Sequence, residues 1–307
     1  MNAANSTLRD LLTNRDLNAG PRAGLRRLPD GEEPRPYERF TLTPCTNLIG
    51  AEISGIDLAE PVPPEVFADL DRAFLEFKVL FFRDQHITSA QQRDFARMWG
   101  ELEIHPFLPQ GEVPEIVRFE KGAEDAGVEN IWHADVTWRQ KPALGSMLRA
   151  IEVPAAGGDT CFADMAAAYD CLPEHVKERI EGRVAVHDFT LPFGRGMAPA
   201  QLREMQEKYP AVEHPVARTH PRTGRRTLFV NAIFTTHIVG LPEDESEELL
   251  KLLFKQASVP EYQVRFKWAP GSIAFWDNRA VQHYAVNDYF PWRRVMERAA
   301  ILGDRPQ

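Results

Sequence analysis

The sequence predicts an α+β fold with a jelly-roll sandwich at its core and helices that flank the strands or are inserted between them. Strand-like segments lie toward both ends of the chain, and most helical segments fall between them. Strands and helices do not alternate regularly, so a doubly wound parallel sheet is disfavoured. With 307 residues, of which 43% are hydrophobic, the chain can bury a sizeable core.

We divide the chain into an N-terminal extension, residues 1–36, and a single domain, residues 37–307. The extension is rich in Asn, Arg, Gly and Pro and shows little apolar periodicity. Such a segment is predicted to be flexible, or to lie over the surface of the domain or of a partner subunit.

Apolar periodicity predicts the elements within this domain. Alternation or short apolar runs predict strands at residues 40–58, 78–82, 115–120, 131–138 and 143–153, with further strands in the last third. Apolar residues at helical spacing predict helices at residues 64–77, 88–99, 165–171, 173–181, 199–208 and 243–257. Thr88-Ser89-Ala90-Gln91 fits a capping box, and Gly100 can end the helix that this box opens.

Composition argues against several classes of partner. A formal net charge of -9 disfavours a nucleic-acid-binding surface, which is expected to carry a basic stripe. No apolar run approaches the roughly 20 residues that span a bilayer, and the N-terminus lacks the apolar stretch of a signal peptide. We therefore expect a cytoplasmic protein with no membrane or nucleic-acid partner. Cys45, Cys161 and Cys171 match no zinc spacing or redox pair.

Two histidines and one aspartate are the most informative residues. His133 and Asp135 lie two positions apart in the run Trp132-His133-Ala134-Asp135, and His283 lies in another strand-like segment. Residues i and i+2 of a strand project from one face, so both side chains can reach one metal. Two imidazoles and a carboxylate form the ligand set that holds non-haem Fe(II) with positions open for other ligands. A lone His-x-Asp also occurs by chance, where either residue caps a turn or satisfies a core hydrogen bond.

A basic cluster near the C-terminus contains Arg293, Arg294 and Arg298. Arg294 and Arg298 are four positions apart, and an even step places both on one face of a strand. A planar guanidinium can bind a carboxylate through two parallel hydrogen bonds. The cluster is therefore either an anion-binding site or a set of surface ion pairs.

The motifs, taken in order, resemble the taurine dioxygenase-like family of Fe(II)- and 2-oxoglutarate-dependent oxygenases. The motifs that carry the resemblance are Trp132-His133-Ala134-Asp135-Val136-Thr137, Gly157-Gly158-Asp159-Thr160, His214-Pro215-Val216, Thr219-His220-Pro221, Val230-Asn231, Trp276-Asp277-Asn278-Arg279, His283-Tyr284-Ala285 and Arg293-Arg294-Val295-Met296-Glu297-Arg298. The resemblance covers nearly the whole chain after the extension. It implies that the jelly roll is a double-stranded β-helix.

The resemblance also implies cofactors and a reaction. His133, Asp135 and His283 are the implied Fe(II) ligands. Thr160 and Arg294 are implied to bind the C5 carboxylate of 2-oxoglutarate, whose keto-acid end chelates the iron. The implied dioxygenase uses O2 to convert 2-oxoglutarate to succinate and CO2 while it hydroxylates a small anionic organic substrate.

Six positions match the substrate pocket of the family: His105, Leu108, Glu129, Phe193, Phe234 and Arg298. Arg298 matches a position that often holds a sulfonate, sulfate or carboxylate group of the substrate, and His105 matches a position that contacts the taurine sulfonate in taurine-using relatives. Leu108 and Glu129 depart from taurine-using relatives, which carry Tyr and Asn there. Leu108 makes its wall more apolar and suits a longer alkyl or aryl substrate, whereas Glu129 could meet an ammonium group or be solvated. Phe193 and Phe234 would line the pocket, although without the motif either Phe is more often a core residue.

Other functions are compatible with parts of this pattern. Within the family, the alternative to a taurine-type enzyme is an alkylsulfatase or an aryloxyalkanoate-type oxygenase. A zinc hydrolase could use the same ligands with an activated water, but it gives no role to Thr160 and Arg294. A non-catalytic jelly-roll binding protein fits the intact ligand set poorly. The resemblance also implies a homodimer or homotetramer.

Overall fold

The computed structural model describes residues 22, 25–29, 31–109, 111–125 and 130–307. The strands are β1 (Thr41–Pro44), β2 (Ala51–Ser54), β3 (Val79–Phe82), β4 (Ile116–Lys121), β5 (Ala143–Glu152), β6 (Thr160–Asp164), β7 (Val184–His187), β8 (Val212–Pro215), β9 (Ala217–Thr219), β10 (Arg226–Leu228), β11 (Thr235–Ile238), β12 (Gln263–Phe266), β13 (Ile273–Asp277), β14 (Val281–Ala285) and β15 (Arg294–Leu302). The helices are α1 (Pro64–Phe77), α2 (Ser89–Ala96), α3 (Met165–Asp170), α4 (Glu174–Ile180), α5 (Thr190–Phe193), α6 (Pro199–Lys208) and α7 (Glu243–Phe254).

Two sheets pack face to face as the central sandwich. The larger sheet has the strand order β1-β2-β3-β13-β5-β15-β4, and the smaller has the order β12-β6-β14. Strand neighbours are antiparallel except for β2 and β3. Phe81 of β3 stacks on Phe266 of β12 with ring centroids 4.1 Å apart, and its ring lies 5.7 Å from that of Phe162 on β6. The arrangement agrees with the predicted α+β jelly roll.

Helices α1 and α2 cover the outer face of the larger sheet. Phe81 faces the smaller sheet, whereas its neighbours Leu80 and Phe82 pack in the cluster that contains the helices. Phe74 of α1 stacks on Phe275 of β13 with ring centroids 4.1 Å apart. Such a buried aromatic pair contributes about 0.5–1.5 kcal/mol beyond its area burial. The sequence of β3 is apolar throughout because both of its faces are covered.

Two helices have the predicted bounds, α1 at Pro64–Phe77 and α6 at Pro199–Lys208. The capping box is confirmed, since the Thr88 side chain accepts from the Gln91 backbone and the Gln91 side chain accepts from the Thr88 backbone. Helix α2 ends earlier than predicted, at Ala96, and one 3-10 turn leads from it to Gly100. Such a turn commonly tightens the end of a helix.

The predicted strand at residues 131–138 is wrong. His133 forms only an isolated antiparallel bridge with His283, with backbone N–O distances of 3.0 and 2.8 Å. The chain then turns, because Val136 has a φ of 47° and its carbonyl accepts the Arg139 N–H. The apolar residues that suggested a strand, Val136 and Trp138, are buried in a core cluster instead. A β-branched residue with positive φ is strained and persists only where its surroundings hold it.

The described part of the predicted N-terminal extension contacts the domain. Arg27 Nε donates to Glu76 at 2.8 Å, and Arg225 donates to the backbone carbonyls of Arg26 and Arg27. Leu25 packs against an apolar cluster that includes residues of α3, α4 and α7. The division of the chain at residue 36 stays a prediction.

Candidate metal centre and cosubstrate pocket

His133, Asp135 and His283 converge on one point. Their potential ligand atoms all lie within 4.8 Å of one another. Asp135 Oδ1 lies 3.8 Å from His133 Nε2 and 3.9 Å from His283 Nε2. His283 belongs to β14, and its backbone bridge to His133 brings the two imidazole centroids to 4.2 Å.

The turn that carries Asp135 is held by other parts of the chain. The Asp135 N–H donates to Asn278 Oδ1 at 2.7 Å, and the Asp135 carbonyl accepts from Asn278 Nδ2 at 2.9 Å. The carboxylate accepts from Ser146 at Oδ2, at 2.7 Å, and from Arg298 at Oδ1, at 2.8 Å. Every polar group of this 3% exposed residue therefore has a partner.

The surroundings of Asp135 and His283 hold these two groups in metal-binding forms. Burial opposes ionisation of Asp135, but Arg298 and then the two imidazoles lower the pKa of its carboxyl well below the usual range. Burial lowers the pKa of His283 to about 3, and His133 and Arg298 act in the same direction. An ionised carboxylate and neutral imidazoles are the forms that bind a metal.

These residues fit a non-haem Fe(II) ion. His133 Nδ1 lies 2.8 Å from the Ile131 carbonyl, which can only accept, so Nδ1 carries a proton and Nε2 is the nitrogen that would bind a metal. Nε2 is also the His133 atom near Asp135. Metal-ligating histidines commonly use such a carbonyl contact to fix the tautomer and the ring orientation. The set of two imidazoles and one carboxylate is the set that non-haem Fe(II) oxygenases use.

A cavity of about 110 Å³ lies beside the imidazoles of His133 and His283. It is lined by His133 and His283, by Thr160, Arg294 and Arg298, by the apolar side chains Phe119, Leu148, Trp276, Ala285, Val286 and Met296, and by Lys121, Asn287 and Tyr289. Arg294 and Arg298 both face it from β15, as their even spacing predicts. The cavity therefore combines cations and a hydroxyl with mostly apolar walls.

Thr160 and Arg294 are held by their neighbours in this cavity. Thr160 Oγ1 accepts from Trp268 Nε1 at 3.0 Å, which leaves its hydroxyl hydrogen to donate elsewhere. The Arg294 chain passes Gly158 so closely that a Cβ there would lie 3.2 Å from Arg294 Cδ and Nε. The rings of Trp268 and Tyr289 lie 6.0 and 5.7 Å from the guanidinium carbon.

His105, Phe193 and Phe234 lie together next to this region. The Phe193 ring centroid is 5.6 Å from that of His105 and 6.4 Å from that of Phe234. His105 Nδ1 accepts the Phe107 N–H at 3.2 Å, so its proton resides on Nε2. Burial, together with the nearby charge of Arg298, lowers the pKa of His105 to about 3. The imidazole is therefore a neutral donor.

The structure says less about the other two predicted pocket residues, Leu108 and Glu129. Leu108 is half-buried, and it does not belong to the apolar cluster that contains Phe193, Phe234 and Val136. Glu129 lies outside the described residues. Neither Phe193 nor Phe234 is among the described residues that line the 110 Å³ cavity. These aromatic rings instead pack beside the Asp135 turn through Val136.

A family model described as "Taurine catabolism dioxygenase TauD, TfdA family" matches residues 41–300. The chain belongs to this family. An alkylsulfatase from Acinetobacter baylyi is 36% identical over 277 residues, which cover 88% of this chain and 87% of the relative. An alpha-ketoglutarate-dependent sulfate ester dioxygenase from Pseudomonas putida is 35% identical over 271 residues, which cover 86% and 89%. The crystal structure of a taurine dioxygenase from Burkholderia xenovorans matches with a TM-score of 0.76 at 36% identity and covers 88% and 93%.

Membership of the TauD/TfdA family confirms the predicted fold, enzyme class and cofactors. The chain is a dioxygenase that uses Fe(II), 2-oxoglutarate and O2. It is neither a zinc hydrolase nor a non-catalytic binding protein.

Sequence reasoning missed three residues that hold this TauD/TfdA site. Asn278 lies in the motif Trp276-Asp277-Asn278-Arg279, which by itself predicts no role for its side chain. Trp268, which donates to Thr160, had no recognisable pattern around it. Ser146, which donates to Asp135, lies in a strand of ordinary apolar character. Only the motif around Asn278 carried a signal that could have identified it.

Proposed function

We propose that this enzyme oxidises an organic sulfate ester at the carbon that bears the sulfate. Hydroxylation of that carbon gives an unstable product that separates into inorganic sulfate and an aldehyde. The second oxygen atom of O2 enters succinate when 2-oxoglutarate loses CO2. The proposal is carried by the position of Arg298 and His105, which bring a cation and a neutral donor close to Asp135. Two similar relatives are named as an alkylsulfatase and a sulfate ester dioxygenase.

Five residues would hold the cofactor and the cosubstrate. His133, Asp135 and His283 would bind Fe(II), which supplies the redox chemistry that activates O2. Arg294 would bind the distal carboxylate of 2-oxoglutarate through two hydrogen bonds, and the Thr160 hydroxyl would donate a third. The apolar walls of the cavity exclude water and strengthen these charged hydrogen bonds.

The substrate would be recognised by charge at one end and by apolar contact at the other. The Arg298 guanidinium and the Nε2–H of His105 are donors for the sulfate oxygens. Phe193 and Phe234 offer an apolar surface for an alkyl or aryl chain, and the half-buried Leu108 would extend it. The role of Glu129 as a polar contact stays a prediction.

A product survey tests the reaction. The protein would be supplied with Fe(II), 2-oxoglutarate and air, and then offered alkyl sulfates, alkanesulfonates and aryloxyalkanoates. We expect succinate and inorganic sulfate in equal amounts from an alkyl sulfate. Release of sulfite from the sulfonates, or of phenols from the aryloxyalkanoates, as the main reaction would contradict the proposed substrate. Sulfate release without O2 would contradict the oxidative mechanism.

Variants of two histidines separate the metal site from general effects on the protein. His133→Ala removes a proposed ligand and is expected to abolish succinate formation. His175→Ala changes an exposed histidine of α4 and is expected to retain wild-type activity. Equal activity of the two variants would overturn the ligand assignment.

We also propose that the enzyme is cytoplasmic, forms a homodimer or homotetramer, and needs no nucleic-acid or membrane partner. Among the described residues, no helix is long and apolar enough to cross a bilayer. The net charge of -9 disfavours binding to nucleic acid. Light scattering after size-exclusion chromatography would measure the number of subunits, and a monomer would contradict the proposal.

A further inference from the structure

Asp135 lies in a turn whose backbone has no strand to pair with. In a sheet, neighbouring strands satisfy the N–H and carbonyl groups, but here the backbone bridge with β14 stops at His133. The Asp135 N–H and carbonyl are nevertheless both bonded, and both to the side chain of Asn278. One amide therefore takes the place of a strand neighbour at the position that carries the carboxylate.

Asn278 also ties this turn to β5. Its Nδ2 donates to the Ala143 carbonyl at 3.1 Å as well as to the Asp135 carbonyl. Strand β5 carries Ser146, which donates to Asp135 Oδ2 at 2.7 Å. Hydrogen bonds thus tie both the backbone of Asp135, through Asn278, and its carboxylate, through Ser146, to β5. Oδ1 is left directed toward His133 and His283.

The amide of Asn278 is itself held in place. Asn278 is 1% exposed, and its own N–H donates to the Leu144 carbonyl at 3.0 Å. On either side, Asp277 and Arg279 form a bidentate ion pair at 2.8 and 2.7 Å, and His220 contacts the same carboxylate at 3.0 Å. A buried ion pair with this many partners fixes the backbone between its two residues. The Asn278 side chain therefore has little freedom to follow a displaced Asp135.

We propose that Asn278 is a positioning residue, which orients the Asp135 carboxylate for metal binding by holding both backbone groups of Asp135. The proposal rests on the assignment of Asp135 as an iron ligand. Outer partners of metal ligands typically contribute about 10- to 100-fold to metal affinity. In this chain that contribution acts through the peptide groups on both sides of the ligand, and it adds to the direct hydrogen bond from Ser146.

Gln85 provides a matched control. Its Oε1 accepts the Leu58 N–H at 2.8 Å, and its Nε2 donates to the carbonyls of Ile56 and Arg83 at 3.1 and 2.9 Å. It is a buried amide with one accepted and two donated backbone hydrogen bonds, the same pattern as Asn278. It does not contact the Asp135 turn. Asn278→Leu and Gln85→Met each remove three side-chain hydrogen bonds, one accepted and two donated, with little change in the shape of the side chain.

The measurements are metal affinity and coordination of the full-length protein without oxygen. Mn(II) binding would be followed by the electron paramagnetic resonance signal of free Mn(II), and Co(II) binding by the visible absorption bands of the bound ion. Both variants are expected to lower Tm by similar amounts. Only Asn278→Leu is expected to raise the Kd for Mn(II), by about 10- to 100-fold, and to change the Co(II) bands. Asn278→Ser, which retains a hydroxyl, is expected to give an intermediate Kd and supplies the test if the leucine variant does not fold.

The outcomes separate this inference from the proposed function. Folded Asn278 variants with the wild-type Kd and Co(II) bands would overturn the positioning role. An equal loss of affinity in Gln85→Met would also overturn it, because the effect would then be one of general stability. Failure of the wild-type protein to bind Mn(II) or Co(II) would instead overturn the metal site on which the inference rests.

Discussion

Several polar residues near the site have one side-chain atom fixed by a hydrogen bond within the protein. His133 Nδ1 donates to the Ile131 carbonyl, and His105 Nδ1 accepts the Phe107 N–H, which places the hydrogen of His105 on Nε2. Thr160 accepts from Trp268 and keeps its hydroxyl hydrogen. Each protein contact fixes a tautomer or rotor before a ligand arrives, which reduces the entropy lost on binding.

At the same scale, Arg293 and Arg294 are adjacent in the sequence, but their substitution is expected to have different effects on the KM for 2-oxoglutarate. Arg294→Lys removes the planar pair of donors and is expected to raise the KM for 2-oxoglutarate by about 10- to 100-fold, the equivalent of a hydrogen bond to a charged group. Arg293 pairs with Glu120 and Glu152 at the exposed surface. Arg293→Lys is therefore expected to leave that KM unchanged. Steady-state assays with 2-oxoglutarate varied would measure both, and a similar KM for the two variants would contradict the assignment of Arg294.

At the scale of elements, a turn of two glycines leads into β6 and packs against the start of β15. Gly157 and Gly158 both have positive φ, of 82° and 70°. Gly158 N–H donates to Asp288 at 2.8 Å, which ties the turn to the segment before β15. The turn needs glycine for its backbone conformation and also for the space that Arg294 occupies.

Gly158→Ala separates these two requirements when it is compared with Gly55→Ala. Both glycines have positive φ, so each substitution is expected to cost about 1–2 kcal/mol of stability. A Cβ at Gly158 meets Arg294 at 3.2 Å, whereas a Cβ at Gly55 meets no atom within 4 Å. We expect only Gly158→Ala to raise the KM for 2-oxoglutarate. Thermal unfolding and steady-state kinetics would test this, and an unchanged KM in Gly158→Ala would contradict the role of the turn.

At the scale of the whole molecule, buried histidines make stability depend on pH. His187 of β7 and His214 of β8 are buried, and their ring centroids are 5.2 Å apart. Burial lowers the pKa of His214 to about 4, and burial with the neighbouring His214 lowers that of His187 well below its usual value. Both are neutral in the folded protein, whereas the unfolded chain binds their protons near pH 6.5.

We therefore expect stability that is complete above pH 6.5 and is lost as the pH falls from about 6.5 toward 4. Each such histidine contributes a slope of up to about 1.4 kcal/mol per pH unit in this range. His214→Gln keeps a donor for the Arg139 carbonyl but cannot take up a proton. Urea unfolding from pH 7.5 to 4.5 is expected to show that the free energy of unfolding falls less steeply with decreasing pH in this variant. An identical slope in both proteins would contradict the proposed contribution of His214.

Local features of the sequence predicted the local structure well. Helices α1 and α6 and the Thr88 capping box depend on contacts between residues three or four positions apart, so their patterns are visible in the sequence. The strand at 131–138 was wrong because apolar content reports burial rather than conformation. Val136 and Trp138 are buried by packing in the turn and not by pairing in a sheet.

The sequence by itself determined the family and the cofactors that carry the chemistry, because residue identity and spacing are enough to recognise the motifs of the family, and it predicted the side chains that would bind those cofactors. Only the tertiary structure decided how that chemistry is held. Asn278 and Asp135 are 143 positions apart, and their contact forms only when the end of β13 meets the Asp135 turn. A buried turn without a strand partner must satisfy its backbone groups from elsewhere in the chain. His133 and Asp135 therefore reach the same point through a turn held by a distant amide, and not through the alternation of a strand.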